Sequence, residues 1–279
     1  MRIDAHQHYW QISRADFGWL TPDLAPIYRD FQPDDLLPLL AQAGIDRTIA
    51  VQAAPTEAET YFLLELAHRT PSIAGVVGWV DFDAPDVLER IATMAGYPRL
   101  LGLRPMIHDI PDLDWMLSCP VAKALGAMAG HGLVFDALVR PPHLSRLHLL
   151  AARHPGLTIV IDHAAKPGIA AREIDTWSQD MEALADFPHV VVKLSGMVTE
   201  AGPDWNTESL SPYVSTLLRV FGAHRVIWGS DWPVLNLASD YAAWCAVTDQ
   251  LLAGCSDEDR AAIMGGNACR VYGEKRGYF

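Results

Sequence analysis

The chain has 279 residues, half of them hydrophobic and one fifth charged, and a formal net charge of −13 at pH 7. This composition provides enough apolar material for a full core and argues against disorder. The excess negative charge argues against nucleic acid or an anionic membrane surface as a partner. The four cysteines are dispersed without a CxxC pair, so we expect reduced thiols in a cytoplasmic enzyme.

The first residues enter an apolar strand directly, which predicts that no signal peptide is present. No apolar run approaches the ~20 residues that a transmembrane helix needs. No linker or low-complexity segment interrupts the chain, so we expect one domain over residues 1–279.

Eight short runs rich in β-branched and apolar residues alternate with segments of helical periodicity. The predicted strands are 3–6, 48–52, 73–80, 100–104, 133–138, 158–162, 190–194 and 226–228. The predicted helices are 34–43, 56–68, 85–95, 120–130, 142–153, 171–185, 212–222, 239–253 and 257–265. In the second helix, Thr56 and Glu59 have the spacing of a capping box.

Strands that alternate with helices pair in parallel through right-handed crossovers, and eight such units predict an α/β fold, a single (β/α)8 TIM barrel. A doubly wound open sheet is the alternative. It would normally carry a glycine-rich loop after the first strand, where this chain has His-Gln-His-Tyr-Trp. The predicted βα loops after strands 1, 4 and 7 are long, which favours a functional site at the carboxyl ends of the strands.

Two histidines close the first predicted strand. His6 and His8 are two residues apart, so both imidazoles are expected to point into the mouth of the barrel, with Asp4 one layer below. Neighbouring imidazoles hold a divalent metal or contact a carbonyl oxygen. A pair of surface histidines is the structural alternative.

An aspartate follows the eighth predicted strand, in Gly-Ser-Asp-Trp-Pro at 229–233. Asp231 is a candidate metal ligand or a general base acting on water. A helix N-cap before Pro233 is the structural alternative, because aspartate is common in that role.

The sixth predicted strand ends in Asp162-His163. Strand alternation lets only one of the two point inward at a given height. We assign His163 to the site and Asp162 to a supporting hydrogen bond. A buried histidine bonded to the backbone is the alternative.

Three cations end strands or lie just beyond them. Arg104 ends strand 4, Lys193 lies in strand 7, and Lys166 follows His163 on the next loop. Inward cations at a barrel mouth hold hydroxyls, a carboxylate or an oxyanion. The alternative for the first two is an internal salt bridge, for example with Asp136, and for Lys166 a solvated side chain.

Aromatic residues are frequent in the long loops. Flat aromatic walls suit sugar rings and other small cyclic ligands, and we assign Trp10, Trp19 and Trp232 to substrate binding. Packing of the loops onto the barrel would also explain each of them. The chain lacks a G-x-S-x-G elbow, a P-loop and a dinucleotide fingerprint, so we expect neither a serine acyl-enzyme nor an organic cofactor.

These motifs together resemble the amidohydrolase superfamily, specifically its amidohydrolase-related lactonase branch, over nearly the whole chain. The matching segments are RIDAHQHYW at 2–10, DHAAKP at 162–167, KLSGMVTE at 193–200 and GSDWPV at 229–234. Within the branch they look most like sugar-acid lactonases of the L-fuconolactonase and L-rhamnonolactonase type, as does DFGWL at 16–20. The resemblance implies a hydrolase that opens a small sugar lactone, with no predicted oligomeric state.

The resemblance has one departure. Metal-dependent members of the superfamily usually supply a histidine or a modified lysine from strand 5, where this chain offers only Asp136. We therefore expect either one zinc on His6, His8 and Asp231, with His163 as a fourth or outer partner, or no metal. In the predicted reaction Asp231 activates water, and His6, His8 and His163 stabilise the oxyanion. The alternatives are a pyrone-dicarboxylate lactonase, a metal-dependent decarboxylase and a non-catalytic binding barrel.

Overall fold

The structure is a computed structural model that describes residues 1–273. Its strands are β1 Ile3–Gln7, β2 Arg47–Val51, β3 Ile73–Gly78, β4 Leu100–Leu103, β5 Val134–Ala137, β6 Ile159–Ile161, β7 Val190–Leu194 and β8 Val226–Trp228. Its α-helices are α1 Pro33–Ala43, α2 Glu57–Arg69, α3 Val87–Ala95, α4 Cys119–Gly130, α5 Leu144–Arg153, α6 Asp175–Ala185, α7 Thr207–Phe221, α8 Tyr241–Leu251 and α9 Asp257–Ala261.

The eight strands form one parallel sheet in sequential order. The seam between β1 and β8 is closed by two backbone hydrogen bonds, from Asp231 N to His6 O at 2.8 Å and from His8 N to Trp232 O at 2.7 Å. The predicted (β/α)8 barrel is confirmed. The prediction of one domain over 1–279 stays a prediction, and residues 274–279 lie outside the described residues.

Two helices begin four or five residues away from their predicted starts, whereas the others begin within two residues of theirs. The helix predicted over 171–185 begins at Asp175, and the one predicted over 212–222 begins at Thr207. In the second case the Asn206 side chain accepts a hydrogen bond from Ser209 N and caps the helix six residues before Pro212. Pro212 is the sixth residue of the helix, beyond the first turn in which proline is favoured, so it did not mark the start here.

The predicted capping box of α2 forms only in part. Thr56 accepts a hydrogen bond from Glu59 N at 3.2 Å, as an N-cap should. The carboxylate of Glu59 does not return to Thr56, and instead accepts from the amides of Ala53 and Ala54 in the loop after β2.

Apolar side chains fill the barrel below its mouth, including Ile49, Val77 and Val160. A second cluster lies between strands and helices. A register shift in β1 between Asp4 and Gln7 changes the alternation there. Asp4 therefore points outward, where it accepts from Tyr241 OH in α8, and the expectation that it lies below the histidines is wrong.

Among residues 1–273, none of the helices combines the length and apolar character needed to span a membrane.

Candidate active site

Three histidines surround one carboxylate at the carboxyl ends of β1, β6 and β8. The Nε2 atoms of His6, His8 and His163 lie 3.7, 3.2 and 3.9 Å from Asp231 Oδ1. All four side chains are almost fully buried, with at most 4 % of each exposed. The structure therefore brings together the four residues predicted to be catalytic, which we call the rim cluster.

Two members of the rim cluster stand on left-handed backbone. His163 has φ 52° and Asp231 has φ 60°, conformations that cost free energy for residues other than glycine. β6 has already ended at Ile161, so strand alternation no longer applies to the residues after it. Asp162 and His163 consequently both point inward but at different heights, with His163 beside Asp231 and Asp162 in the layer below.

Backbone and hydroxyl partners orient two of the imidazoles. His8 Nδ1 lies 2.8 Å from Val51 O, and His163 Nδ1 lies 3.0 Å from Ser195 Oγ. A carbonyl only accepts, so His8 carries its hydrogen on Nδ1. The Nε2 atom of His8 is then the one that faces Asp231.

The turn after β7 leaves room for this arrangement only because residue 196 is glycine. Gly196 has φ +58°, and an added Cβ would lie 2.4 Å from His163 Nδ1 and 3.1 Å from Asp231 Oδ2. A larger residue would displace the base and its neighbour together.

Electrostatics favour an ionised carboxylate at Asp231 beside neutral imidazoles at His6 and His163. Burial opposes ionisation of Asp231, but the neighbouring imidazoles of His163 and His8 outweigh it and lower the pKa of this carboxyl. Burial, together with the positive charge of Lys193, holds the pKa of His6 well below its usual value. Burial likewise holds the pKa of His163 well below its usual value. Near neutral pH the cluster thus presents a carboxylate that can accept a proton.

A second polar layer lies immediately beneath, and we call it the buried charged layer: Arg104, Asp136, Asp162, Lys193 and Tyr272. Lys193 Nζ lies 2.5 Å from Asp136 Oδ2 and 3.0 Å from Asp162 Oδ1, and Arg104 Nη1 lies 3.2 Å from Asp162 Oδ2. Tyr272 OH donates to Asp136 at 2.8 Å.

Lys193 is fully buried and does not line the cavity above the site. Its assignment to substrate binding therefore finds no support here, and the internal salt bridge with Asp136 is what the structure contains. Lys193 Nζ also lies 3.1 Å from His6 Nδ1, so it reaches the rim cluster from below.

A cavity of about 200 Å³ opens above the rim cluster. Its floor includes His8, His163 and Asp231, and Arg104 and Lys166 stand on its walls. Lys166 donates to Glu200 at 2.7 Å, which neutralises its charge locally. The rest of the lining is mainly apolar: Ala53, Met106, Leu138 and Val234.

The three tryptophans assigned to substrate binding occupy different places. Trp19 is half-buried and lines the cavity. Trp10 is fully buried, donates its indole N–H to Arg29 O, and packs edge-on against Phe31. Trp232 is 2 % exposed and also packs on Phe31. Trp10 and Trp232 therefore hold the first loop on the rim, and their assignment to ligand contact is corrected.

The sequence interpretation missed two residues of this site. His108, in the loop after β4, lines the cavity, and burial lowers its pKa to about 3. Ser195 orients His163. The length of the loop after β4 could have pointed to His108. A serine after a strand, such as Ser195, gives no comparable indication of function.

The donor set suits a divalent metal. One ligand atom from each of His6, His163 and Asp231 lies within 4.8 Å of the others. The structure groups His163, rather than the predicted His8, with the other two. Asp136 is committed to Lys193 and Tyr272 and does not join them. Imidazole nitrogens and a carboxylate oxygen are ligands that zinc accepts.

Comparison with known proteins gives one consistent picture. A family model described as amidohydrolase matches residues 3–273. An L-fucono-1,5-lactonase of Burkholderia ambifaria is 48% identical, over 97% of this chain and 95% of that protein. An L-fucono-1,5-lactonase of Burkholderia multivorans is 36% identical, over 98% and 96%. A crystal structure of an amidohydrolase from Burkholderia multivorans with bound zinc superimposes with a TM-score of 0.92 at 36% identity, covering 98% of this chain and 99% of that one.

Proposed function

This chain belongs to the amidohydrolase family, and on that premise we propose that it opens a neutral sugar-acid lactone, of the L-fucono-1,5-lactone type, to the aldonate. The observation that carries the proposal is the convergence of three imidazole nitrogens on one buried carboxylate at the floor of a small cavity. The 48% identity to an L-fucono-1,5-lactonase over nearly the full length supports the substrate class.

Asp231 acts as the general base in this proposal. Its carboxylate takes a proton from a water molecule, and the water oxygen attacks the lactone carbonyl carbon. The bond from that carbon to the ring oxygen then breaks, and the proton held by Asp231 passes to the departing ring oxygen. The lowered pKa of Asp231 keeps the base ionised at neutral pH.

In this proposal His6, His8 and His163 stabilise the developing oxyanion by helping to hold a divalent ion. Val51 O accepts the Nδ1 hydrogen of His8, so the contact of 3.2 Å between His8 Nε2 and Asp231 Oδ1 requires a proton or a cation between these two atoms. This arrangement of acceptors supports a bound divalent ion, held by His6, His163 and Asp231 with His8 beside them. Such an ion, when present, acts as a Lewis acid on an ester carbonyl and lowers the pKa of water toward ~7.

Arg104 is the candidate donor to the substrate. Its guanidinium lines the cavity and stands 3.3 Å from His6 Nε2. Lys166 and His108 stand farther out on the same walls and are candidate partners for ring hydroxyls. Trp19 offers an apolar face for the ring.

The lining favours a neutral substrate over a pyrone dicarboxylate. The two cations on the cavity walls, Arg104 and Lys166, are each paired with a carboxylate, and Asp109 and Asp231 also line the cavity. A substrate with several negative charges would meet no net positive field there.

A pH-indicator assay tests the proposal, because hydrolysis of a neutral lactone releases an acid. We expect rapid proton release with L-fucono-1,5-lactone and related six-carbon lactones, and little with pyrone dicarboxylate. Hydrolysis of pyrone dicarboxylate alone would replace the proposed substrate class. Carbon dioxide release from a carboxylated aromatic, without lactone turnover, would replace the reaction.

A further inference from the structure

The mechanism above makes no use of Glu59, a buried carboxyl at the start of α2 with no exposed surface. It accepts from Ala53 N at 2.9 Å and from Ala54 N at 2.6 Å. These amides belong to the loop that joins β2 to α2, directly beside the cavity. Burial raises the pKa of Glu59 to about 8, against the two amide hydrogen bonds and Arg104, which lower it.

The same loop holds side chains of the site through its carbonyl oxygens. Gln52 O accepts from Arg104 Nη2 in a short hydrogen bond, and Ala53 O accepts from Trp19 Nε1 at 2.7 Å. Both side chains line the cavity.

The two sets of contacts occupy opposite ends of the same two peptide groups. The carbonyl of Gln52 and the amide of Ala53 form one peptide unit, and the carbonyl of Ala53 and the amide of Ala54 form the next. A peptide unit is planar and rigid, so a contact that fixes its N–H also fixes the direction of its C=O. Glu59 therefore controls the two acceptors that hold Arg104 and Trp19.

The third carbonyl of the loop is held differently. Val51 O orients His8, but the amide of the same peptide unit, Gln52 N, donates to Val77 O of β3 at 2.8 Å. The strand ladder, rather than Glu59, fixes this unit. The catalytic histidine and the binding residues are thus oriented by separate supports.

We propose that Glu59 is a positioning residue for substrate binding, which acts through the 52–54 backbone to set Arg104 and Trp19 while leaving the orientation of His8 unchanged. This inference rests on the proposed lactone hydrolysis. The new element is that two different sets of contacts orient the groups for substrate binding and for turnover within one loop. Glu59 orients the binding residues, and the hydrogen bonds to β3 orient His8.

Glu59→Gln is the test, because glutamine keeps the shape but replaces one acceptor oxygen with an NH₂ group that faces an amide donor. With L-fucono-1,5-lactone we expect KM to rise about tenfold or more, since small misplacements of binding groups have large effects. We expect kcat to change less than about threefold, because His8 and Asp231 keep their places.

Glu57→Gln is the matched control. Glu57 lies in the same first turn of α2 and pairs with Arg90 at 2.8 Å, away from the 52–54 backbone. It should leave KM and kcat unchanged. An equal rise in KM in both variants would overturn the proposal, because a general effect of the helix would then explain it. A folded Glu59→Gln protein with unchanged KM would also overturn it.

Trp19→Phe supplies a second route that does not depend on the folding of the Glu59 variant. It removes the indole N–H at the far end of the Ala53 peptide unit together with part of the aromatic face, and we expect a raised KM. In the double variant the two effects should be less than additive, because both act on one peptide unit. Unchanged KM in Trp19→Phe, or full additivity, would contradict the proposal. Absence of lactone turnover in the unmodified protein would instead refute the proposed function.

Discussion

The rim cluster and the buried charged layer are built from similar residues, one directly above the other, yet they do different work. Three members of the rim cluster, His8, His163 and Asp231, line a cavity, where imidazole nitrogens and a carboxylate oxygen are available to a ligand. In the layer below, Lys193, Asp136 and Asp162 are fully buried and paired with one another. Ionisable residues at the mouth of a barrel are therefore available for catalysis only where the packing leaves their polar atoms facing a cavity.

The largest expected effect comes from removing the base of the rim cluster. Asp231→Asn should lower kcat by about 10²- to 10⁴-fold, because the amide cannot accept the proton from water. Steady-state rates with L-fucono-1,5-lactone check this, and circular dichroism checks the fold. Asp204→Asn, at an exposed loop position, is the control and should keep full activity. Turnover by Asp231→Asn at the wild-type rate would contradict the assignment of Asp231 as the general base.

The buried charged layer should respond in stability first. Lys193→Met leaves Asp136 without its cation and Asp162 with Arg104 alone, and breaking a buried ion pair on one side costs about 3–5 kcal/mol. Urea denaturation measures the loss. Adding Asp136→Asn in the same chain should restore part of the stability, since it removes one uncompensated charge. A Lys193→Met protein as stable as the wild type would show that the layer is not held by these pairs.

Orientation of the rim cluster is the next target. Ser195→Ala removes the hydroxyl 3.0 Å from His163 Nδ1, and loss of such a supporting partner typically costs about 10- to 100-fold in metal affinity or activity. Zinc affinity by calorimetry and kcat should fall together. Ser239→Ala, in the loop before α8, should change neither. Unaltered zinc affinity in Ser195→Ala would contradict the assignment of His163 as a metal ligand.

The smallest effect is expected at the bottom of the buried charged layer. Tyr272→Phe removes a hydrogen bond to Asp136, worth about 1.5–3 kcal/mol for a charged acceptor. Thermal denaturation should show reduced stability, whereas kcat at saturating lactone should stay close to the wild-type value. A large loss of kcat without loss of stability would show that the buried charged layer takes part in catalysis together with the rim cluster.

The sequence predicted the barrel because its evidence is periodic and local. Alternating strands and helices specify parallel crossovers, and residues that end parallel strands meet at one rim, so His6, His8, His163 and Asp231 could be placed together. Strand alternation then failed at two places in the chain. The register shift in β1 turns Asp4 outward, and the left-handed backbone after β6 turns both Asp162 and His163 inward.

Sequence-based prediction was also limited because it does not show which hydrogen-bond partner each side chain has. Trp10 and Trp19 have the same residue type in the same loop, but a hydrogen bond to Arg29 O buries the first and one to Ala53 O holds the second at the cavity. Nothing local distinguishes them. The role of Glu59 was hidden for the same reason, because its position matched a capping box that forms only in part.

The crystal structure of Asp231→Asn with L-fucono-1,5-lactone bound is the most direct measurement. The account predicts the lactone carbonyl carbon above residue 231, beside His8 and His163, with the ring between Arg104 and Trp19. A lactone bound elsewhere, for example in the neighbouring cleft lined by Trp79 and Trp115, would contradict the assignment of the rim cluster as the place of catalysis.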